Sequence, residues 1–178
     1  MNTDVTIFEG PDGAGKTTLV DAWTVEGLLV DAVHLGPHKG DPRRELMAHL
    51  AAHPGPVAFD RFHLGEQVYG PVYRGKDGLG WIGRRAVEKA LAKRCGIVVI
   101  CLPAYAVAHA NWARRRAEGG EMFPSPSGFK SVYDRYLTVK TDLPVVMYDY
   151  TLQSVDRACV AIHDARMKAY PIIEARAA

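Results

Sequence analysis

Short runs of consecutive apolar residues punctuate this chain, separated by longer stretches in which apolar positions recur every three or four residues. The short runs are Val5–Glu9, Ala32–Leu35, Val57–Asp60, Ile97–Leu102 and Val145–Tyr148. Each predicts a strand covered on both faces. The longer stretches predict helices over 15–27, 42–52, 63–69, 81–94, 104–117, 129–140 and 153–168. In the second of these, Leu46, Met47 and Leu50 make a core-facing stripe and Pro42 stands near the start, where a proline's missing N–H costs nothing. Strands alternating with helices predict βαβ units and a parallel sheet. Two segments interrupt the pattern, Gly70–Gly80 (GPVYRGKDGLG) and Glu118–Gly128 (EGGEMFPSPSG). Irregular stretches of this length in a compact domain are often lids or binding loops.

Composition narrows the class. With 178 residues, 48% hydrophobic and 24% charged, the chain reads as one globular domain over 1–178. A net charge of +2, from 22 basic and 20 acidic residues, gives no bulk attraction to nucleic acid. Cys95, Cys101 and Cys159 show neither an even count nor a CxxC spacing, so they read as reduced thiols of an intracellular, cytoplasmic protein. No secretory signal pattern is visible, and the run from Ile97 to Leu102 is far too short to span a bilayer. The seven histidines make no HExxH or related ligand spacing, and there is no GxSxG elbow.

The strongest chemical signal is Gly10-Pro-Asp-Gly-Ala-Gly15-Lys16-Thr17, a complete GxxxxGK[ST] between the strand VTIFE and the helix TTLVDAW. Glycines let the backbone approach an anion closely, and successive N–H groups at a helix start then face phosphate. Gly10, Asp12, Gly13, Ala14, Gly15, Lys16, Thr17 and Thr18 are therefore the expected ATP-binding set. Lys16 would place positive charge between the β- and γ-phosphates, and the Thr17 hydroxyl would ligate Mg²⁺. A second metal anchor is expected at the end of an apolar strand. Asp60, after Val57-Ala-Phe, is preferred, and Asp149, after Val145-Val-Met-Tyr, is its rival. Arg61 follows Asp60 directly, and a guanidinium beside a metal carboxylate suits an acceptor phosphate.

With these residues in hand the chain resembles the thymidylate kinases. FEGPDGAGKTTL at 8–19 is similar to that family's P-loop, and DRFHLGEQVYG at 60–70 to its Asp-Arg-aromatic motif and following helix. The likeness runs on through YRGKDGLG, VVICLPAYAVAHANWARRR and SVYDRYL. It implies an α/β P-loop NTPase fold like that of nucleoside monophosphate kinases: three layers, α/β/α, a five-stranded parallel sheet and a short lid near 118–128. By the same resemblance, Asp12 contacts the acceptor sugar's 3′-hydroxyl and Arg61 grips the acceptor phosphate. Tyr69 crowds the ribose 2′-position, and Glu66 stands near the base. Arg114, Arg115 and Arg116 match a basic helix leading into the lid.

The chain also departs from the family. The stretch between the second strand and Asp60 is short, and GPHKGDPRRELMAHLAAH stands where the family has a helix that stacks on thymine and reads its oxygen. Phe62, His63, Tyr73, Arg43 and Arg44 are candidate substitutes, and Arg74 joins Phe62 on the acceptor side. No arginine occupies Gly13 or the Glu118–Gly128 segment, so Arg114–Arg116 are the candidates for charge stabilisation, with Arg74 and Lys76 as outsiders. The leading expectation is an ATP- and Mg²⁺-dependent kinase of a deoxynucleoside monophosphate, dTMP-like or with a modified pyrimidine. The alternative is phosphorylation of a hydroxyl on a modified pyrimidine in a nucleotide or in DNA, held by Arg43, Arg44, Arg74, Lys76, Arg84 and Arg85. A non-catalytic nucleotide switch ranks last, because a switch has no need of an acceptor motif. Membrane partners are not expected; the resemblance allows a homodimer.

Overall fold

A computed structural model describes residues 4–25, 31–119 and 125–171. Five strands form one all-parallel sheet in the order β2-β3-β1-β4-β5. They are β1 (Val5–Glu9), β2 (Asp31–His34), β3 (Val57–Asp60), β4 (Ile97–Cys101) and β5 (Val145–Tyr148). The helices are α1 (Lys16–Val25), α2 (Pro42–Ala52), α3 (Leu64–Tyr73), α4 (Gly80–Ala92), α5 (Tyr105–Ala117), α6 (Pro126–Thr138) and α7 (Val155–Ala169). The expected α/β class and parallel sheet are present. Among the described residues no helix is long and apolar enough to cross a membrane.

Alternation along each central strand builds two separate cores. Val5, Ile7, Val57, Phe59, Val98 and Ile100 point to one face, against Leu46, Leu50, Leu64, Val68, Val87, Leu91, Trp112 and Phe129 of α2 to α6. Phe8, Ala58, Ile97, Val99 and Cys101 point to the other, against Leu19, Val20 and Trp23 of α1 and Ile162 of α7. Helices on both faces give the three layers. They also explain why the central strands read as unbroken apolar runs rather than as alternation. Met47, expected in the core with Leu46 and Leu50, is instead 39% exposed. At the helical period it falls beside the buried stripe rather than on it.

Two boundaries move for local reasons. The segment Gly70–Gly80 is not irregular from its start. α3 continues through Pro71 to Tyr73, closed by the Arg74 N–H donating to the Gly70 carbonyl at 2.7 Å. A proline in the last turn loses one hydrogen bond, while Val72 behind it packs on the core. α6 begins at Pro126, not Phe129, because the Ser125 hydroxyl accepts from the Gly128 N–H at 3.2 Å and caps the helix. Of the expected lid, 120–124 lie outside the described residues.

The chain runs from β1 outward through β2 to β3, then crosses to β4 on the other side of β1. The C-terminal ends of β1, β3 and β4 therefore flank a topological switch point, where open α/β sheets bind ligands.

Candidate functional site

The P-loop leaves β1 at that switch point. Gly10 has φ +145, and a Cβ there would collide with the Cys101 carbonyl oxygen of β4. Gly13 has φ +74, and a Cβ would come within 3.0 Å of the Trp112 backbone nitrogen. Both positions demand glycine for conformation and for space. Lys16 opens α1 and folds back over its own loop, its Nζ donating to the carbonyls of Gly10 (3.0 Å) and Pro11 (2.7 Å). Burial, with help from the nearby Arg61 guanidinium, lowers its pKa from 10.5 to about 8, although Asp12 and Asp60 pull the other way. Ala14 is buried, and Thr17 and Thr18 are exposed on the first turn.

Two adjoining cavities lie on the P-loop side of α5. One of about 190 Å³ is lined by Gly13 to Thr18 with Asn111, Arg114 and Arg115. Its neighbour, about 370 Å³, adds Tyr148, Tyr150, Gln153, Ser154 and Val155. Asn111 and Tyr150 have no sequence motif, yet they tie the loop to α5 and to the chain after β5. The Asn111 Nδ2 donates to the Gly13 carbonyl (3.3 Å) and the Tyr150 hydroxyl (2.5 Å). A Cβ on Gly15, whose φ is +82, would lie 2.9 Å from the Tyr150 ring. The arginines of α5 divide. Arg114 and Arg115 line the smaller of these cavities beside the P-loop, Arg114 pairing with Glu118 at 3.1 Å. Arg116 instead lies over the Trp112 ring at 5.4 Å, so the structure does not bring it to the loop with the other two.

A separate cavity of about 360 Å³ is lined by residues 34–38 and by Arg61, Phe62, Gly65, Glu66, Tyr69, Tyr73 and Arg74. Arg61 adopts φ 71, a left-handed conformation that costs a non-glycine residue energy and often marks function. Its backbone N–H still bonds the Phe8 carbonyl at 2.8 Å. Its side chain turns to the P-loop, pairing with the Asp12 carboxylate and donating to the Tyr69 hydroxyl at 2.6 Å. Arg61 thus pairs with Asp12 across the loop rather than with its neighbour Asp60. Tyr69 also donates to the Gly10 carbonyl at 3.4 Å and stacks with Tyr73, ring centres 6.5 Å apart. Phe62 is buried, 4.6 Å from the Phe59 ring.

Beneath this cavity a buried glutamate carries the local structure. Glu9, at the end of β1, is fully buried. Its Oε1 accepts from the Phe62 N–H (2.9 Å) and the Gly65 N–H (3.3 Å), and its Oε2 accepts from the Tyr136 hydroxyl (2.9 Å). An acceptor-only carboxylate facing three donors locks the Asp60–Gly65 turn to β1 and α6. The polar end of VTIFE was the only sequence sign of it. The remaining base-contact candidates scatter. His63 is buried against Glu88 (3.2 Å), and Arg43 and Arg44 are exposed in the first turn of α2. Arg84 pairs with Asp77, and Arg85 covers Trp81, so the basic strip envisaged for DNA is partly neutralised within the chain.

The P-loop fold implies Mg²⁺ with the nucleotide, and the donor atoms here fit it. Asp60 Oδ2 meets His34 Nδ1 at 3.0 Å, while its Oδ1 is buried with no hydrogen-bond partner among the described residues. Such an orphaned carboxylate oxygen calls for a cation or an ordered donor. Asp149, the rival anchor, is turned to a local cap, its Oδ1 accepting from the Thr151 N–H (2.8 Å) and hydroxyl (2.6 Å). Among the described residues no cluster of three His, Cys, Asp or Glu side chains forms a metal site. The balance of a magnesium shell at Asp60 and Thr17 would thus come from phosphate oxygens and water. Asp12 Oδ2 is likewise buried and unpartnered, which suits a hydroxyl donor from a sugar.

No protein-family model matches the chain, and no curated protein matches its sequence. Solved structures do. The YorR protein of Bacillus subtilis, in complex with phosphorylated GDP, is similar at TM-score 0.73 and 20% identity, over 92% of this chain and 96% of that one. Polyphosphate kinase 2 of Arthrobacter aurescens follows at 0.63 and 14%, over 94% and 68%. Deoxyadenosine kinase of M. mycoides with bound dATP stands at 0.55 and 12%, over 90% and 98%. At these identities the likeness establishes the fold, that of P-loop kinases.

Proposed function

We propose that this protein transfers the γ-phosphoryl group of ATP to the phosphate of a deoxynucleoside monophosphate. The observation that carries the reading is the presence of two separate cavities with no lining residue in common. One is lined by the P-loop, and the other has Arg61 between Asp12 and Tyr69. A nucleotide-binding switch has no use for the second. Arg61 would hold the acceptor phosphate, Asp12 the 3′-hydroxyl through its unpartnered oxygen, and Tyr69 would crowd the 2′-position in favour of deoxyribose. Lys16 and the P-loop amides would cradle the donor phosphates, and Arg114 and Arg115 border the place where their charge shifts. Mg²⁺ held near Asp60 and Thr17 would neutralise phosphate charge.

The transfer needs little covalent chemistry from the protein. An oxygen of the acceptor phosphate forms a bond to the γ-phosphorus, and the bond from that phosphorus to the β–γ bridging oxygen breaks, releasing ADP. The acceptor oxygen is already ionised at neutral pH, so positioning and charge compensation carry the rate.

One observation favours a second reading. His34 Nδ1 lies 3.0 Å from Asp60 Oδ2 beside the acceptor cavity, and a carboxylate–imidazole pair can take a proton from a hydroxyl acceptor. Radiolabelled ATP, Mg²⁺ and a panel of nucleosides, deoxynucleoside monophosphates and DNA separate the two. The monophosphate reading expects label in nucleoside diphosphates, abolished by Lys16→Met; label only in DNA or on a nucleoside hydroxyl refutes it.

A further inference from the structure

The deep wall of the acceptor cavity carries a polar set with an unusual balance. Glu66 and His38 both line the cavity, with side chains only 5% and 9% exposed. Glu66 Oε1 accepts from Arg74 Nη2 at 2.7 Å and Oε2 accepts from the same nitrogen at 2.6 Å. A carboxylate offers about four lone-pair sites, so capacity remains on Oε1. His38 Nδ1 lies 2.9 Å from Glu45 Oε2. That carboxylate is held below the usual range, first by its hydrogen bond to His38. An ionised carboxylate can only accept, so the His38 proton sits on Nδ1 and, in the neutral ring, Nε2 is an acceptor as well. Nε2 and Glu66 Oε1 then face each other at 4.0 Å, too far for a direct hydrogen bond. With the His38 ring neutral, the two acceptors can share one nitrogen that donates twice, seated about 2 Å to the side of the line joining them.

We infer that Glu66 and His38 select an acceptor base carrying an exocyclic amino group, and that Arg74 orients Glu66 and presents a donor beside it. This rests on the monophosphate-kinase reading above and names its substrate class. An amino group supplies two N–H donors from one nitrogen, which suits both acceptors at once. A carbonyl oxygen placed at that point, as thymine and uracil present, faces the lone pairs of both acceptors instead. The inference departs from the dTMP-like acceptor that the sequence resemblance implies. The amino-bearing bases are cytosine, adenine and guanine, and the assay distinguishes them.

The test measures kcat/KM and binding for dCMP, dAMP, dGMP, dTMP and dUMP on the wild-type protein and on Glu66→Gln. The variant keeps size and one acceptor but adds a donor that a carbonyl can use. For the wild type, at least one amino-bearing monophosphate exceeds dTMP and dUMP by about 100-fold, since sites built around hydrogen bonds reject the analogue that cannot make them. In Glu66→Gln that ratio falls to about tenfold or less, because the amino-bearing substrate loses and dTMP gains. A residue that only anchored Arg74 would lower all substrates together and leave the ratio fixed, which overturns the inference. So does a wild-type protein that prefers dTMP or dUMP, an outcome that leaves the kinase reading intact and needs no variant to fold. No binding and no turnover of any monophosphate overturns both.

Discussion

Raising the pH should remove the charge on Lys16 within an accessible range. The side chain is 6% exposed, and its pKa lies at about 8 against 10.5 in an open chain, burial being the largest cause and Arg61 the next. A phosphate entering the P-loop stabilises the ammonium, so ATP binding takes up a proton. If the free-protein pKa is about 8, half of the molecules carry neutral Lys16 at that pH. Uptake there should be about half a proton per ATP, rising to about 0.9 one pH unit higher, where affinity has fallen about tenfold from its neutral plateau. Titration calorimetry in buffers of different ionisation enthalpy reads the uptake directly. Stability in the absence of ligand moves the other way. Because the folded pKa is depressed, the unfolded chain holds more protons between about 8 and 10.5. The folded state therefore gains, by about 3 kcal/mol at most, as pH rises through that window. Subtracting the stability of Lys16→Met at each pH isolates this from the cysteines and tyrosines. No proton uptake near pH 8, together with a flat difference curve, would refute the reasoning.

Three further outcomes are expected. Gly10→Ala should cost about 3 kcal/mol in denaturant unfolding and abolish ATP binding, since φ +145 and the Cys101 carbonyl both exclude a Cβ; wild-type stability would show that the loop does not leave β1 in this way. Glu9→Gln replaces one of the two oxygens serving Phe62, Gly65 and Tyr136 by an amide group, so the Tyr136 hydroxyl must turn round to accept and a charge-assisted acceptor is lost. It should lower stability by about 2 kcal/mol and raise KM for the acceptor more than for ATP, and equal changes in the two KM values would count against it. Tyr69→Leu should narrow the preference for deoxyribo- over ribonucleoside monophosphates and also raise acceptor KM, because Arg61 loses the hydroxyl at 2.6 Å; an unchanged sugar preference means the tyrosine is not the gate.

Much of this molecule was legible in one dimension because its strongest constraints are local. Strands buried on both faces write themselves as apolar runs, and the P-loop needs glycine, lysine and threonine at fixed spacing for reasons of backbone geometry. Ser125 and Pro126 were a readable cap that the glycine and prolines nearby obscured. What stayed hidden depends on long-range packing. Asn111 and Tyr150 meet only because α5 crosses the P-loop, and Glu9 acquires its three donors from two distant segments. The Arg61–Asp12 pair spans the gap between β3 and the P-loop, which no local pattern announces. Arg116 shows the converse: three consecutive arginines cannot share one helix face, and only the fold decides which of them meet the site.

The central claim is that the group receiving phosphate is itself a phosphate. Phosphorus NMR of the reaction products tests it most directly, with ATP, Mg²⁺ and the amino-bearing deoxynucleoside monophosphates as substrates. The monophosphate resonance should be replaced by coupled α- and β-resonances of a nucleoside diphosphate as ADP appears. A new phosphomonoester resonance on a sugar or base hydroxyl, with the original monophosphate signal intact, would contradict it.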